Sequence, residues 1–398
     1  MDKIKVGIFI DAFFPMMDGV INVVDNLAKI LKDKLDITIF TIKPRGKVDT
    51  IEHPYKVVRC KSMALPGLDY DMPLPSFDRK FKKTLKDSTL DLVYCHSPVY
   101  MASQAIKYAK KHNVPVLAHL HSQFKQDIYR AVRLKGLTNI ILKVFLKNFN
   151  KADKAIAVNE FTKELFENEY HLKTPITVVY NATDMLPLEN QSKAIDFVNE
   201  KYKFGADEKI LLFVGRINKL KNIDLILDSA SVLTKSFNNF KLLLVGSGGD
   251  EDYFKKKTSD LKLEDKVIFA GKVTDRDELR AIYLRADLFL FPSRYDTDGL
   301  VKLEAASQGT PTVFIENTGA VSSIKDNITG FVAKDDKFSF AKKIEEALND
   351  KELYNYVCQN VKDKLYRTWQ DSAQEIYEII LKMVKENRAD KEAKHKKS

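Results

Sequence analysis

The 398-residue chain has little of what would tie it to a membrane span, a disulfide scaffold or a metal cage. Its three cysteines, Cys60, Cys95 and Cys358, are odd in number and far apart. They form neither a disulfide framework nor a zinc pattern, and they point to a reducing, cytoplasmic setting. No apolar run approaches the roughly 18 residues of a membrane span; the longest pieces are as short as LLFVG (211–215) and LFLF (288–291). The N-terminal MDKIKVGIFID has no small-residue cleavage site and reads as a first β-strand, not a signal peptide. Low-complexity segments and short-period repeats are also lacking.

What remains is the composition of a globular protein, 44% apolar and 30% charged. The length exceeds one ordinary core and favours two domains. The net charge of +10 is unevenly spread: residues 125–151 hold Lys125, Arg130, Arg133, Lys135, Lys143, Lys147 and Lys151 against one acid, Asp127. The last fourteen residues, KENRADKEAKHKKS, read as a frayed, solvated basic tail.

Short β-branched runs alternate with helical patterns. In the first half the strand candidates lie at 5–10, 37–42, 55–59, 91–95, 115–119, 154–158 and 176–180. A polar stretch at 181–208 reads as the linker, and the pattern restarts at 209–215, 240–246, 266–271, 287–292 and 310–315. Continuous apolar strands separated by helices imply parallel sheets buried on both faces. Ligands then sit beyond the carboxyl ends of the strands.

Two of those loops carry chemistry. In GRINKLKN (215–222) a strand ends at Gly215, Arg216 follows, and Lys221 stands near a new helix start. Two cations and helix amides at a strand mouth suit a diphosphate; taken alone, they equally suit a solvated loop. In FPSRYDTDGLVKLEAASQGTP (291–311), Asp296 and Glu304 are eight apart, with a helix expected from about Gly299 and Glu304 in its second turn. Backbone amides at Asp298, Gly299, Leu300 and Val301 can face an anion, and carboxylates can each accept two directed bonds from sugar or ribose hydroxyls. The bland alternative makes Glu304 a surface helix acid and Asp296 a cap.

The second loop resembles the E-x7-E region of retaining glycosyltransferases of family 4, through Pro292-Ser293, Asp296, Glu304-Ala305, Gly309 and Pro311. Gly215, Arg216 and Lys221 are similar to that family's phosphate loop, FFPMMDGV (13–20) to its glycine loop, and DLVYCHSP (91–98) and PVLAHLHSQF (115–124) to two further motifs. The ordered set spans roughly 4–335. The resemblance implies a GT-B fold, two Rossmann-like α/β domains with parallel sheets facing across a cleft. An acceptor domain is expected over 1–182, a nucleotide-sugar domain over 183–365, and a crossing-back helix with basic tail over 366–398.

It further implies that Arg216 and Lys221 hold the diphosphate of a UDP-sugar, Glu304 the ribose, and Asp296 the sugar hydroxyls. Gly19 would admit the phosphates, and His121 would line the sugar pocket. No metal or other cofactor is expected; the strings Asp69-Tyr70-Asp71 and Asp296-Thr297-Asp298 copy the D-x-D metal motif of a different architecture. Asp296 stands where the family usually carries Glu, one methylene longer, so the sugar stays open between donors, with glucose favoured.

Residues 123–151 interleave cations with Leu134, Leu137, Ile140, Ile141, Val144, Phe145 and Phe149 at helical spacing, broken near Gly136 and Thr138 into two helices. Such a face suits an anionic membrane surface or, more plainly, packing on the sheet. With the family resemblance it implies a peripheral enzyme acting on a lipid such as diacylglycerol, or a lipid-linked saccharide. A soluble, polysaccharide or protein acceptor is the alternative. A non-catalytic nucleic-acid binder, the reading from another class, has only the basic charge behind it, without recognition motifs or alternating aromatics.

Overall fold

The computed structural model describes residues 3–16, 18–44, 49–64 and 71–396. Asp69 and Tyr70 of the first D-x-D string lie outside these. The chain divides into two compact units, Met1–Asn181 with Trp369–Ser398, and Ala182–Thr368.

The first unit is built on strands β1 (Ile4–Phe9), β2 (Leu35–Ile42) and β3 (Lys56–Cys60), a small hairpin β4 (Ser62–Ala64) and β5 (Asp71–Pro73), then β6 (Leu92–Cys95), β7 (Val116–Leu120), β8 (Lys154–Ala157) and β9 (Ile176–Val178). Seven of them form one all-parallel sheet in the order β3-β2-β1-β6-β7-β8-β9. Every residue of β6 and β7 is buried, as parallel strands covered by helices on both faces require. The second unit holds β10 (Lys209–Val214), β11 (Phe240–Val245), β12 (Val267–Gly271), β13 (Leu288–Phe291), β14 (Thr312–Ile315) and β15 (Phe331–Ala333). Its sheet runs β12-β11-β10-β13-β14-β15, again all parallel. Both sheets reverse their strand order once, between β1 and β6 and between β10 and β13, and such a reversal opens a crevice at the carboxyl ends.

Helix starts follow local side-chain chemistry. Asp18 accepts from the Ile21 amide at 2.8 Å and caps the helix Gly19–Leu31; Asp275 caps Arg276–Arg285 and Asp336 caps Lys337–Asn349 in the same way.

Four expectations need correction. The polar stretch 181–208 contains a helix, Gln191–Tyr202, which buries Val198 and docks on Arg276–Arg285 through Lys201 Nζ and Tyr202 Oη, 2.6 and 2.9 Å from Glu278. Its polar face hides a narrow apolar one. Strand β15 and the β4–β5 hairpin, three residues per strand, are too short to show periodicity. The basic stretch does form two helices, Phe124–Val132 and Lys135–Phe149, but the break falls at Arg133, which adopts the left-handed conformation as a C-cap, and not at Gly136 or Thr138. The basic tail is helical rather than frayed: Trp369–His395 is one 27-residue helix, anchored by Arg388 Nη2 on Asp91 at 2.8 Å.

The mouths of β10 and β11 are backbone against backbone. A Cβ on Gly246, whose φ is +140°, would lie 1.8 Å from the Gly215 carbonyl oxygen. Gly246→Ala should therefore lower stability by about 3 kcal/mol or more, read as a fall in the urea midpoint; a midpoint within error of wild type would show that these strands can part.

Candidate active site

In the second unit the loops leaving β10 and β13 are neighbours because their strands pair, Leu211 with Leu288 and Leu212 with Phe289. The first runs from Gly215 through a 3-10 turn, Lys219–Lys221, into the helix Ile223–Leu233. It is pinned by Gly215 N to Val245 O at 3.0 Å and Ile217 N to Ser247 O at 3.1 Å. Asn222 donates from Nδ2 to the Pro292 carbonyl at 3.1 Å and ties it to the second loop.

Lys221 Nζ then meets both carboxylate oxygens of Asp296, at 2.7 and 2.8 Å. Two residues assigned separately, one to phosphate and one to sugar, thus hold each other. Arg216 is exposed, and among the described residues nothing pairs with its guanidinium. With Lys219, whose ammonium lies over the Tyr253 ring at 4.1 Å, it leaves this loop with positive charge that no carboxylate among the described residues matches.

The helix after β13 spans Val301–Gln308. Its start is two residues later than expected, so Glu304 sits in the first turn, not the second. Gly299 has φ +77°, and a Cβ there would meet the Phe291 ring at 2.6 Å, so only glycine turns the chain here. No side chain caps the helix, and among the described residues no hydrogen bond engages the amides of Gly299, Leu300 or Val301. An open helix N-terminus of this kind attracts anions.

The turn is held from beneath by Lys302, 1% exposed, whose Nζ donates to Asp298 Oδ1 at 2.7 Å, Ala320 O at 2.9 Å and Ser323 Oγ at 3.1 Å. The Asp298 side chain therefore serves the scaffold while its backbone remains at the turn. Each carboxylate of the string Asp296-Thr297-Asp298 faces a lysine.

Glu304 accepts from Tyr283 Oη at 3.0 Å and from Arg276 Nη1 at 3.4 Å. Arg276 also binds Asp184. Burial pushes the Glu304 carboxyl above its ordinary range, against the lowering pull of Arg276 and Tyr283.

His121 and Gly19 belong to the first unit. Gly19 opens the helix Gly19–Leu31, and a Cβ there would meet nothing within 4 Å. His121 follows β7, its Nε2 3.0 Å from His96 Nδ1 and its ring stacked on His119 at 4.1 Å. Burial pushes its pKa down to about 3, so the imidazole is neutral.

Arg276, Tyr283, Asp184 and Lys302 escaped the sequence reading. Nothing distinguishes Lys302 from a solvated helix lysine until the fold buries it, and Arg276 and Tyr283 reach Glu304 from another helix. His96 and His119 did leave a signal: His96 directly follows β6, His119 lies near the end of β7, and His119 and His121 are two apart, on one side of the chain.

The family model for glycosyl transferases group 1 matches residues 195–364, and that for glycosyltransferase family 4 matches residues 17–185. An alpha-monoglucosyldiacylglycerol synthase of Streptococcus pneumoniae is 24% identical over 333 residues, covering 82% of this chain and 74% of its own. The enzyme of that name from Acholeplasma laidlawii is 24% identical over 318 residues, covering 78% and 79%. Among solved structures, Anabaena HepE in complex with UDP superposes with a TM-score of 0.76 over 96% of this chain and all (100%) of that one, at 18% identity.

The raised Glu304 pKa has a consequence for stability. Above the ordinary carboxylate value of 4.5 the unfolded chain has released a proton that the folded chain still holds. Stability therefore falls as pH rises from there towards the raised pKa. Glu304→Gln should remove this component, so that its melting temperature declines less than wild type's as pH rises from 4.5; parallel declines would contradict the burial argument.

Proposed function

Because the chain belongs to glycosyltransferase family 4 and is a glycosyltransferase of GT-B fold, we propose that it moves a hexose, glucose foremost, from a UDP-sugar to a membrane lipid such as diacylglycerol or a lipid-linked saccharide. The observation that carries the donor half is Arg216, unpaired among the described residues, beside the Lys221–Asp296 pair, with the amides of Gly299–Val301 in the neighbouring loop likewise unbonded among those residues.

Glycosyl transfer breaks the bond from the sugar's anomeric carbon to the diphosphate, and negative charge gathers on the departing nucleotide. Fixed donors aimed at that charge stabilise it without a reorganisation cost. Arg216 supplies a planar fork and a full charge. Lys221 has three N–H donors, so it can reach a phosphate while holding Asp296. Asp296 keeps lone pairs for sugar hydroxyls, so the sugar would bind next to the phosphates. Glu304, oriented by Tyr283 and Arg276, takes the ribose. His121, neutral at physiological pH, offers the sugar a hydrogen-bonding ring rather than a cation. Retention of anomeric configuration follows the family.

The acceptor half is supported by the helix Lys135–Phe149. It buries Thr138, Leu142, Leu146 and Phe149, yet leaves Ile140 62% and Val144 54% exposed, alongside exposed Leu134 and Leu137. Lys135, Lys143 and Lys147 are exposed on the same helix. An apolar stripe flanked by cations suits an anionic bilayer surface. Among the described residues no helix is long and apolar enough to cross a membrane, so attachment would be peripheral. The two diacylglycerol-named relatives support the same acceptor.

Lys221→Ala and Glu304→Ala should each cut UDP release from UDP-glucose by on the order of 100- to 1,000-fold; normal turnover by both would refute the site. With diacylglycerol in anionic vesicles, the product identified by mass spectrometry should be a hexosyl lipid, formed at an unchanged rate under EDTA. Replacing Leu134, Ile140 and Val144 together by Ser should reduce vesicle co-sedimentation and lipid transfer by about tenfold or more, at about 1.4 kcal/mol per decade. Slow hydrolysis of UDP-glucose should persist. Transfer to a soluble saccharide with no vesicle dependence would replace the lipid reading by the soluble-acceptor one.

A further inference from the structure

We infer that His96, His119 and His121 form a binding site for a divalent transition-metal ion of the zinc class in the first unit. The three imidazoles stand at the carboxyl ends of the adjacent strands β6 and β7, where the sheet order has just reversed. One ring nitrogen from each lies within 4.8 Å of the others. His96 Nδ1 and His121 Nε2 are already 3.0 Å apart. Zinc–imidazole bonds of about 2.0–2.1 Å set tetrahedral ligand nitrogens about 3.3 Å apart. Closing the set needs inward ring movements of about 1.5 Å at most.

Among the described residues the buried His119 Nε2 has no hydrogen-bond partner; His96 Nε2 is also unpartnered, but it is the other nitrogen, Nδ1, that His96 turns towards His121. Leaving a buried polar atom unmade costs about 1–3 kcal/mol, so such orphans ask for an explanation. On His119 the other nitrogen, Nδ1, lies 2.7 Å from the Tyr94 hydroxyl. With Nδ1–H donating to that oxygen, the Nε2 lone pair is left for a ligand, the outer-shell arrangement that orients metal-binding histidines. All three rings are held neutral by burial, the form in which imidazole binds metal.

The donor set selects the ion. Three imidazoles without a carboxylate suit zinc, cobalt, nickel or copper, and do not suit magnesium or calcium, which want oxygen. Three protein ligands also leave a fourth position to water. His119 and His121 are neighbours in sequence but His96 stands apart from them, and the three match no short-spaced zinc motif, so the sequence marks the strand ends without marking a metal site. One consequence rests on the proposed function: an ion here occupies His121 and withdraws it from the sugar, so zinc should inhibit transfer.

The test is direct binding to the full-length protein, by competition for Zn2+ with a chromophoric chelator. Wild type should take up one equivalent with a dissociation constant below about 1 μM, undiminished by excess Mg2+. His96→Gln and His119→Gln should each weaken it by on the order of 100-fold, whereas His171→Gln and Cys358→Ser should not. Tyr94→Phe, which keeps the ring and removes only the orienting hydroxyl, should weaken binding by about tenfold; it serves if a histidine variant fails to give a wild-type circular dichroism spectrum. Absence of zinc uptake, or uptake unchanged in His96→Gln, His119→Gln and Tyr94→Phe, would overturn the assignment. Uptake that depends on the triad with transfer unimpaired supports the site and overturns the role given to His121, so the two readings can fail separately.

Discussion

The ion pair between Lys221 and Asp296 joins the two loops on which the proposed donor site of the second unit depends. One loop leaves β10 and the other leaves β13, strands that pair only because the sheet reverses its order between them. Both partners are largely shielded from solvent, at 22% and 18% side-chain exposure. Removing one partner would leave the other charge uncompensated, which costs more than the pair contributes. The bidentate geometry also fixes Asp296 in direction, so a hydroxyl approaching it meets a positioned acceptor.

A second lysine does the complementary work. Asp298, in the turn before the helix, and Lys302, in its first turn, are both buried, and the lysine's remaining donors are spent on Ala320 and Ser323. The two lysines thus divide the labour of the loop 292–300: one shapes the turn from inside, the other faces the open side. With both carboxylates matched, the net charge offered to an anion comes from Arg216 and from the partial charge of the uncapped helix end. Both matter more where water is excluded than on an open surface.

The parallel α/β architecture was legible because buried strands such as LLFV (211–214) and LFLF (288–291) are continuous apolar runs, and each ends in a loop rich in Gly, Pro or charge. Strand order was not legible, since hydrophobic runs carry no record of their neighbours. The three-residue strand Phe331–Ala333 fell below any periodic signal. The helix Gln191–Tyr202 was hidden by a polar sequence that buries only Val198 completely. At the site, residues close in sequence were found together, while their supports were not. Tyr283 and Arg276 reach Glu304 from 21 and 28 residues away, and no local pattern marks such contacts.

Neutral and charged groups are sorted between the units in a way that bears on chemistry. Among the described residues the second unit presents an unpaired guanidinium, that of Arg216, beside compensated ion pairs, an arrangement that suits negative charge. The first gathers three imidazoles, His96 and His119 buried and His121 half-buried, without a counter-charge among them, and desolvation favours the neutral form of each. A neutral imidazole cluster cannot stabilise a leaving anion by charge, but its lone pairs and N–H groups can order a hydroxyl or ligate an ion. The ring that the reaction would use, His121, is held by the same stack that leaves His96 and His119 with unmatched nitrogens. Satisfying those nitrogens with additional hydrogen-bonding residues would fix the stack further; leaving them unmatched keeps the imidazoles available to an incoming ligand at a cost in stability. That is the exchange of stability for a functional surface expected where a fold departs from full polar satisfaction.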